Sequence, residues 1–133
     1  DDLNAADVVL LGVSRTSKTP TSIYLANRGY KTVNIPLVLD QKIPADLYSN
    51  NSSCIVGLIA DPERLSDIRR NRVAIMQDQN LKEYTDLDSI KKEVEDSRKL
   101  FKKNSWPIID VTRRSVEETA ASILKIIEIK KNQ

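Results

Sequence analysis

The eight residues Gly12-Val13-Ser14-Arg15-Thr16-Ser17-Lys18-Thr19 follow directly on the apolar run Ala6-Asp7-Val8-Val9-Leu10-Leu11, and no other stretch restricts the fold as tightly. The apolar run reads as a strand, and a Lys-Thr pair followed by Pro20 reads as the entrance to a helix. Strand, tight loop and helix form the setting of the phosphate-binding pattern G-x-x-x-x-G-K-[ST]. It is matched here except that Ser17 replaces the second glycine. In such a loop several backbone N–H groups point at one spot, and the helix dipole adds partial positive charge there. Lys18 would bring a mobile full charge to terminal phosphates, and the Thr19 hydroxyl would be a ligand for Mg²⁺. Ser17 counts against the pattern, because its Cβ crowds a place where backbone approaches phosphate. A polar strand-to-helix turn with a capping hydroxyl is the competing reading of the same residues.

The chain beyond the loop alternates strands with helices. A short helix opens at Thr19-Pro20, with Ile23, Leu25 and Ala26 as its apolar surface and Arg28-Gly29 as its stop. Lys31 to Ile35 reads as a second strand ended by Pro36, completing a right-handed βαβ unit. Residues 36–53 read as a loop with one helical turn at Pro44–Tyr48. The continuous apolar run Cys54–Ala60 marks a central parallel strand covered on both faces. A helix from about Pro62 to about Gln77 follows, its stripe formed by Leu65, Ile68, Arg72 and Ile75.

Residues 78–85 are polar. The capping signal Thr85-Asp86-Leu87-Asp88 then starts a long helix to about Asn104, whose packing face is Leu87, Ile90, Val94, Ser97 and Phe101. No chemistry is assigned to it. Trp106–Val111 reads as a fourth strand, with Trp106 a core or rim aromatic. Ser115-Val116-Glu117-Glu118 is a capping box for a last helix that turns Val116, Ala120, Ile123, Leu124 and Ile127 inward. The fold class is α/β, a three-layer fold of the P-loop nucleoside-triphosphatase kind with a mostly parallel sheet, in one domain over residues 1–133. The strand at the very start leads us to expect a domain cut from a longer chain.

Absence of histidine narrows the chemistry most. Ser-His-Asp and Cys-His nucleophiles and His-based metal sites are excluded within this chain. What remains is carboxylates, Lys, Arg, hydroxyls and a hard cation, an inventory suited to phosphoryl transfer. The net charge of +2 lends nothing to a nucleic-acid or membrane partner. No apolar run nears the ~20 residues that span a bilayer, and no secretory signal pattern opens the chain. The single Cys54 cannot form an internal disulfide, so a reducing, cytoplasmic setting is expected.

Further site candidates lie outside the loop. Asp61, before Pro62, reads as an N-cap, and also as a carboxylate at the carboxyl end of a core strand, where it would hold Mg²⁺ or accept a hydroxyl proton. Arg69, Arg70 and Arg72 crowd on one helix, and Arg113 and Arg114 follow the last strand. Each group reads either as a phosphate clamp or as a solvated surface, and Arg113 and Arg114 also as a stack on adenine.

Three segments together resemble the pyruvate, phosphate dikinase regulatory protein family: Ala6–Ala26, then Asp61-Pro62-Glu63-Arg64-Leu65 with Ile68-Arg69-Arg70-Asn71-Arg72, and Trp106–Ala120. The resemblance covers nearly the whole chain, and the family accepts serine at the position of Ser17. It implies the C-terminal, nucleotide-binding half of a protein about twice as long, which fits the abrupt start. It implies a bifunctional, cytoplasmic serine/threonine kinase and phosphorylase. Such an enzyme moves the β-phosphate of ADP onto a threonine of the dikinase, inactivating it, and removes that phosphate with inorganic phosphate to give pyrophosphate. Carried onto this chain, Gly12 to Thr19 would cradle the ADP phosphates, with Ser14 and Arg15 near the second one. Lys18 would neutralise the transferred group, and Thr19, with Asp61, would hold Mg²⁺. Asp61 also stands as a catalytic candidate by inference. The dikinase is the implied partner, with no nucleic acid or membrane, and a homodimer is admitted. Four alternatives stay open: a regulator of phosphoenolpyruvate synthase by the same chemistry, a small-molecule kinase, a non-catalytic nucleotide sensor, or a fragment inactive by itself.

Overall fold

The computed structural model describes residues 5–38, 43–50, 52–76 and 85–132. Four strands, β1 (Val8–Gly12), β2 (Thr32–Pro36), β3 (Cys54–Ile59) and β4 (Ile108–Asp110), form one all-parallel sheet in the order β2-β1-β3-β4. Val8 lies opposite both Thr32 and Cys54, and Leu11 opposite Ile35 and Gly57. Five helices complete the described chain: α1 (Lys18–Ala26), α2 (Ala45–Tyr48), α3 (Pro62–Met76), α4 (Leu87–Lys103) and α5 (Val116–Lys131). Helix α1 packs with α5 and α3 with α4, while α4 and α5 both reach β3. Every residue of β1 and β3 is buried, as a doubly covered parallel sheet requires. This is the three-layer α/β arrangement expected from the alternating pattern. No described helix is long and apolar enough to cross a membrane.

Gly57 sets the height of one helix layer. A Cβ there would enter the ring of Phe101, which is fully buried, so the glycine lets α4 sit close on the sheet. The buried face of α4 is Ile90, Val94, Ser97 and Phe101, with Leu87 half-buried, matching the sequence pattern. Asp86 caps it by accepting from the Ser89 N–H at 3.0 Å. Ser115 and Glu118 form the reciprocal capping box of α5, at 3.1 and 3.2 Å. Cys54 is buried at the start of β3.

The structure corrects several local readings. Helix α1 starts at Lys18, which still leaves Pro20 in its first turn. Its buried residues are Thr21 and Leu25, while Ile23 and Ala26 are exposed. Thr21 and Leu25 are four apart and share a face; Ile23, two residues from each, points the other way. On α3 the buried arginine is Arg69, in line with Leu65, and Arg72 is exposed. The end read at Gln77 lies outside the residues described, as do 39–42, 51 and 78–84 among the connections, and the inward place read for the Ile75 side chain lies outside what is described of α3. The fourth strand is Ile108–Asp110 only, because the chain leaves α4 through Ser105 in the left-handed region (φ 56°). There the Trp106 N–H bonds the Phe101 carbonyl at 2.9 Å, so Trp106 serves the helix exit. Half-buried, its ring stacks on Tyr48 at 6.0 Å. Pro36 belongs to β2, at the sheet edge, where a missing N–H is tolerated.

Candidate functional site

Strand β1 delivers its last residue, Gly12, to a very tight corner. A Cβ on Gly12 would lie 2.5 Å from Thr16 Oγ1 and 3.0 Å from the Leu58 carbonyl oxygen. The loop therefore folds back directly over the junction of β1 and β3, and the fully buried Thr16 locks it by donating to the Val13 carbonyl at 2.8 Å. Arg15 (φ 71°) and Ser17 (φ 64°) both adopt the left-handed conformation. Ser17 thus takes the backbone shape for which the pattern uses glycine, at a cost of about 1–2 kcal/mol. It precedes α1 without a side-chain capping bond, so its hydroxyl does not satisfy the first N–H groups of the helix.

Lys18 folds back into this loop. Its Nζ donates to the Val13 carbonyl at 2.7 Å and to Thr16 Oγ1 at 3.3 Å. Burial, then the charges of Arg69 and Arg15, lower its pKa from 10.5 to about 8. An ammonium with two guanidinium neighbours gains from the arrival of a polyanion. Ser14, Arg15 and Ser17–Pro20, with Pro36 and Ile68, line a cavity of about 440 Å³ beside it.

Beneath the loop sits an ion pair that joins three elements. Arg69 of α3 is 0% exposed. Its guanidinium grips Glu93 of α4 with both terminal nitrogens, at 3.0 and 3.2 Å, and Nη2 also donates to the Ser14 carbonyl at 3.0 Å. Glu93 was not singled out in the sequence. The signal available was a carboxylate beside the apolar stripe of α4, one turn from Ile90, able to face an arginine on another packed helix.

The remaining candidates lie elsewhere. Asp61 caps α3, its Oδ2 accepting from the Arg64 N–H at 3.2 Å, while its own N–H donates to Thr112 Oγ1 at 2.8 Å. The Thr112 N–H and hydroxyl both donate to Asp110 Oδ1. Asp61, Asp110, Thr112, Arg113, Arg114 and Glu118 surround a second cavity, of about 600 Å³, where β3 and β4 end. Arg114 also donates to Ser122 Oγ at 2.7 Å. The loop, Lys18 and Thr19 are therefore brought together, and Asp61, Arg113 and Arg114 form a separate group. Arg69 lies under the loop, and the exposed Arg70 and Arg72 line neither cavity. Among the described residues no three acidic, His or Cys side chains cluster to hold a metal by themselves.

A family model described as kinase/pyrophosphorylase matches residues 1–124. The chain is 59% identical over 133 residues to a protein of Pelagibacter ubique (strain HTCC1062), covering 99% of this chain and 48% of that one. It is 54% identical over 121 residues to one of Erythrobacter litoralis (strain HTCC2594), covering 91% and 44%. A Maricaulis maris (strain MCS10) protein is 50% identical over 132 residues, covering 99% and 47%. All three carry the provisional name pyruvate, phosphate dikinase regulatory protein. The chain spans about half the length of these curated relatives.

Proposed function

The chain belongs to the kinase/pyrophosphorylase family, and on that premise we propose that its loop binds the diphosphate of ADP for regulation of pyruvate, phosphate dikinase. In the forward reaction a threonine hydroxyl oxygen of the dikinase bonds to the β-phosphorus, the bond to the α-phosphate oxygen breaks, and AMP leaves. The hydroxyl proton passes to a base. In the return reaction an oxygen of inorganic phosphate attacks the phosphothreonine, the threonine oxygen leaves and is protonated, and pyrophosphate forms. One observation carries this reading: Lys18 is held by the Val13 carbonyl at 2.7 Å beside a cavity lined by the loop. A cation stored on a neutral acceptor moves to a phosphate oxygen with a gain in charge pairing.

Lys18 would then hold the transferred group through its negative transition state, the form of catalysis on which phosphoryl transfer mostly depends. Backbone N–H groups of the loop and the positive end of α1 would hold the bridging oxygens. Thr19 lines the same cavity, at the start of α1 beside Lys18, and its hydroxyl is assigned to Mg²⁺, with phosphate oxygens and water as the other ligands. Mg²⁺ would neutralise charge on the diphosphate. Asp61, which follows the strand beside β1 at the same end of the sheet and lines the other cavity, is assigned to meet the acceptor hydroxyl.

The test incubates full-length protein with ADP and dikinase and looks for phosphothreonine, then repeats it with Lys18→Ala. Transfer with wild type and its loss in the variant in both directions are expected. Near-normal transfer by the variant would remove Lys18 from the mechanism. Transfer to phosphoenolpyruvate synthase, transfer to a small molecule, or ADP binding without transfer would each replace the assignment.

A further inference from the structure

We propose that the Arg69–Glu93 ion pair is a positioning device for the phosphate loop, fixing the Ser14–Arg15 peptide so that the Arg15 N–H faces a bound phosphate. The inference rests on the reading of the loop as a phosphate site and adds two positioning residues to it.

Four observations lead there. First, the pair is buried at 1% and 14% side-chain exposure, and its desolvation makes it a poor way merely to join two helices. Second, the guanidinium does more than pair. One Nη2 hydrogen goes to Glu93 and the other to the Ser14 carbonyl while Nη1 holds the second carboxylate oxygen, a geometry that suits the planar fork of arginine and that the single nitrogen of lysine does not reproduce. Third, no described peptide bond is cis. In a trans peptide the N–H points opposite to the C=O, so a Ser14 carbonyl held by Arg69 turns the Arg15 N–H away from the guanidinium. A flipped peptide would offer a carbonyl oxygen on that side and repel an anion. Fourth, Arg15 and Ser17 both hold left-handed backbone, and such shapes persist only where surroundings over-determine them.

The loop's other pins do not hold this peptide. Lys18 holds the Val13 carbonyl only while its ammonium stays inside the loop. Thr16 holds the same carbonyl, one peptide away. Arg69 alone among these reaches Ser14, and Glu93 keeps it there when Lys18 moves to the phosphate.

The test compares wild-type full-length protein with Arg69→Lys, Glu93→Gln and the double variant Arg69→Met/Glu93→Leu, which replaces the pair by apolar side chains of similar volume. Thermal melting, calorimetric affinity for ADP with Mg²⁺, and the Arg15 amide signal in ¹⁵N spectra are measured. The double variant melts near wild type, because a buried ion pair exchanged for apolar packing is often neutral. Its ADP affinity falls by about tenfold or more, the scale of one lost charge-assisted contact. Its Arg15 amide signal shifts in the absence of ligand. Arg69→Lys behaves likewise while keeping the charge. Glu93→Gln, which retains an oxygen for the fork, recovers most of the affinity. If the double variant fails to fold, the two single variants decide by the same readouts. ADP affinity within about twofold of wild type, with an unmoved Arg15 signal, overturns the proposal. Wild type that binds no ADP defeats the phosphate-site reading instead, and the Arg15 signal then judges the brace by itself.

Discussion

Replacing Gly12 by alanine tests the packing under the loop. The new methyl would stand 2.5 Å from Thr16 Oγ1 and 3.0 Å from the Leu58 carbonyl oxygen, both in a fully packed region. Leu58 belongs to a central strand and cannot retreat without disturbing its pairing with Ile109 of β4, so the Thr16 side chain is the part that gives. Overpacking of this kind costs about 1–3 kcal/mol, and losing the Thr16–Val13 bond adds about 0.5–1.5 kcal/mol. The sum is about 1.5–4.5 kcal/mol. Urea unfolding followed by circular dichroism measures it, with unchanged slope. A Gly12→Ala/Thr16→Ala double variant removes the nearer clash and should recover about half the loss, a non-additivity expected of touching residues. ADP affinity falls in the single variant even where the protein stays folded, because displacing Thr16 removes the bond that shapes the loop lining the cavity. Stability of Gly12→Ala within about 0.5 kcal/mol of wild type would show that the loop does not close over β1 as described.

Three further outcomes follow from particular side chains. Lys18 holds fewer protons in the folded chain than unfolded between about pH 8 and 10.5, so its contribution to stability rises with pH across that window. Lys18→Met should therefore be more stable than wild type near neutrality, and the difference should shrink as pH climbs; urea midpoints at several pH values read it, and a constant difference refutes the burial of the charge. Asp61→Asn keeps a good cap, so melting should hold within about 0.5 kcal/mol, while transfer to threonine drops by about a hundredfold or more; unchanged transfer leaves Asp61 as a cap and nothing else. Ser115→Ala breaks one arm of the capping box and should cost about 1 kcal/mol in chemical unfolding, and a neutral result would mean α5 draws its start from packing alone.

The architecture was legible because it depends on patterns that survive any packing detail. The apolar runs Val8–Leu11 and Cys54–Ile59 are doubly covered strands, and the capping signals at Asp86 and Ser115 start the helices they predict. The rotation of a helix about its axis was less legible. On α3 the stripe through Arg72 and the one through Arg69 differ by a small turn, and partners distant in sequence, Glu93 and the Ser14 carbonyl among them, make burial of Arg69 tolerable. The same long-range contact hid the site's support, since nothing local to Ser14 announces that α3 will hold its carbonyl. Asp61 shows the limit from the other side. Its place at the end of β3 was readable, but which cavity it lines depends on Thr112 and Asp110, brought in by β4.

The central claim is that Lys18 waits on a carbonyl until a diphosphate draws it out. A crystal structure of the protein with ADP and Mg²⁺ tests this directly. The β-phosphate is expected in the loop's cavity, within hydrogen-bond reach of Lys18 Nζ, with the Lys18–Val13 bond broken and the Arg69–Ser14 bond intact. Nucleotide bound elsewhere, with Lys18 still on Val13, would contradict it.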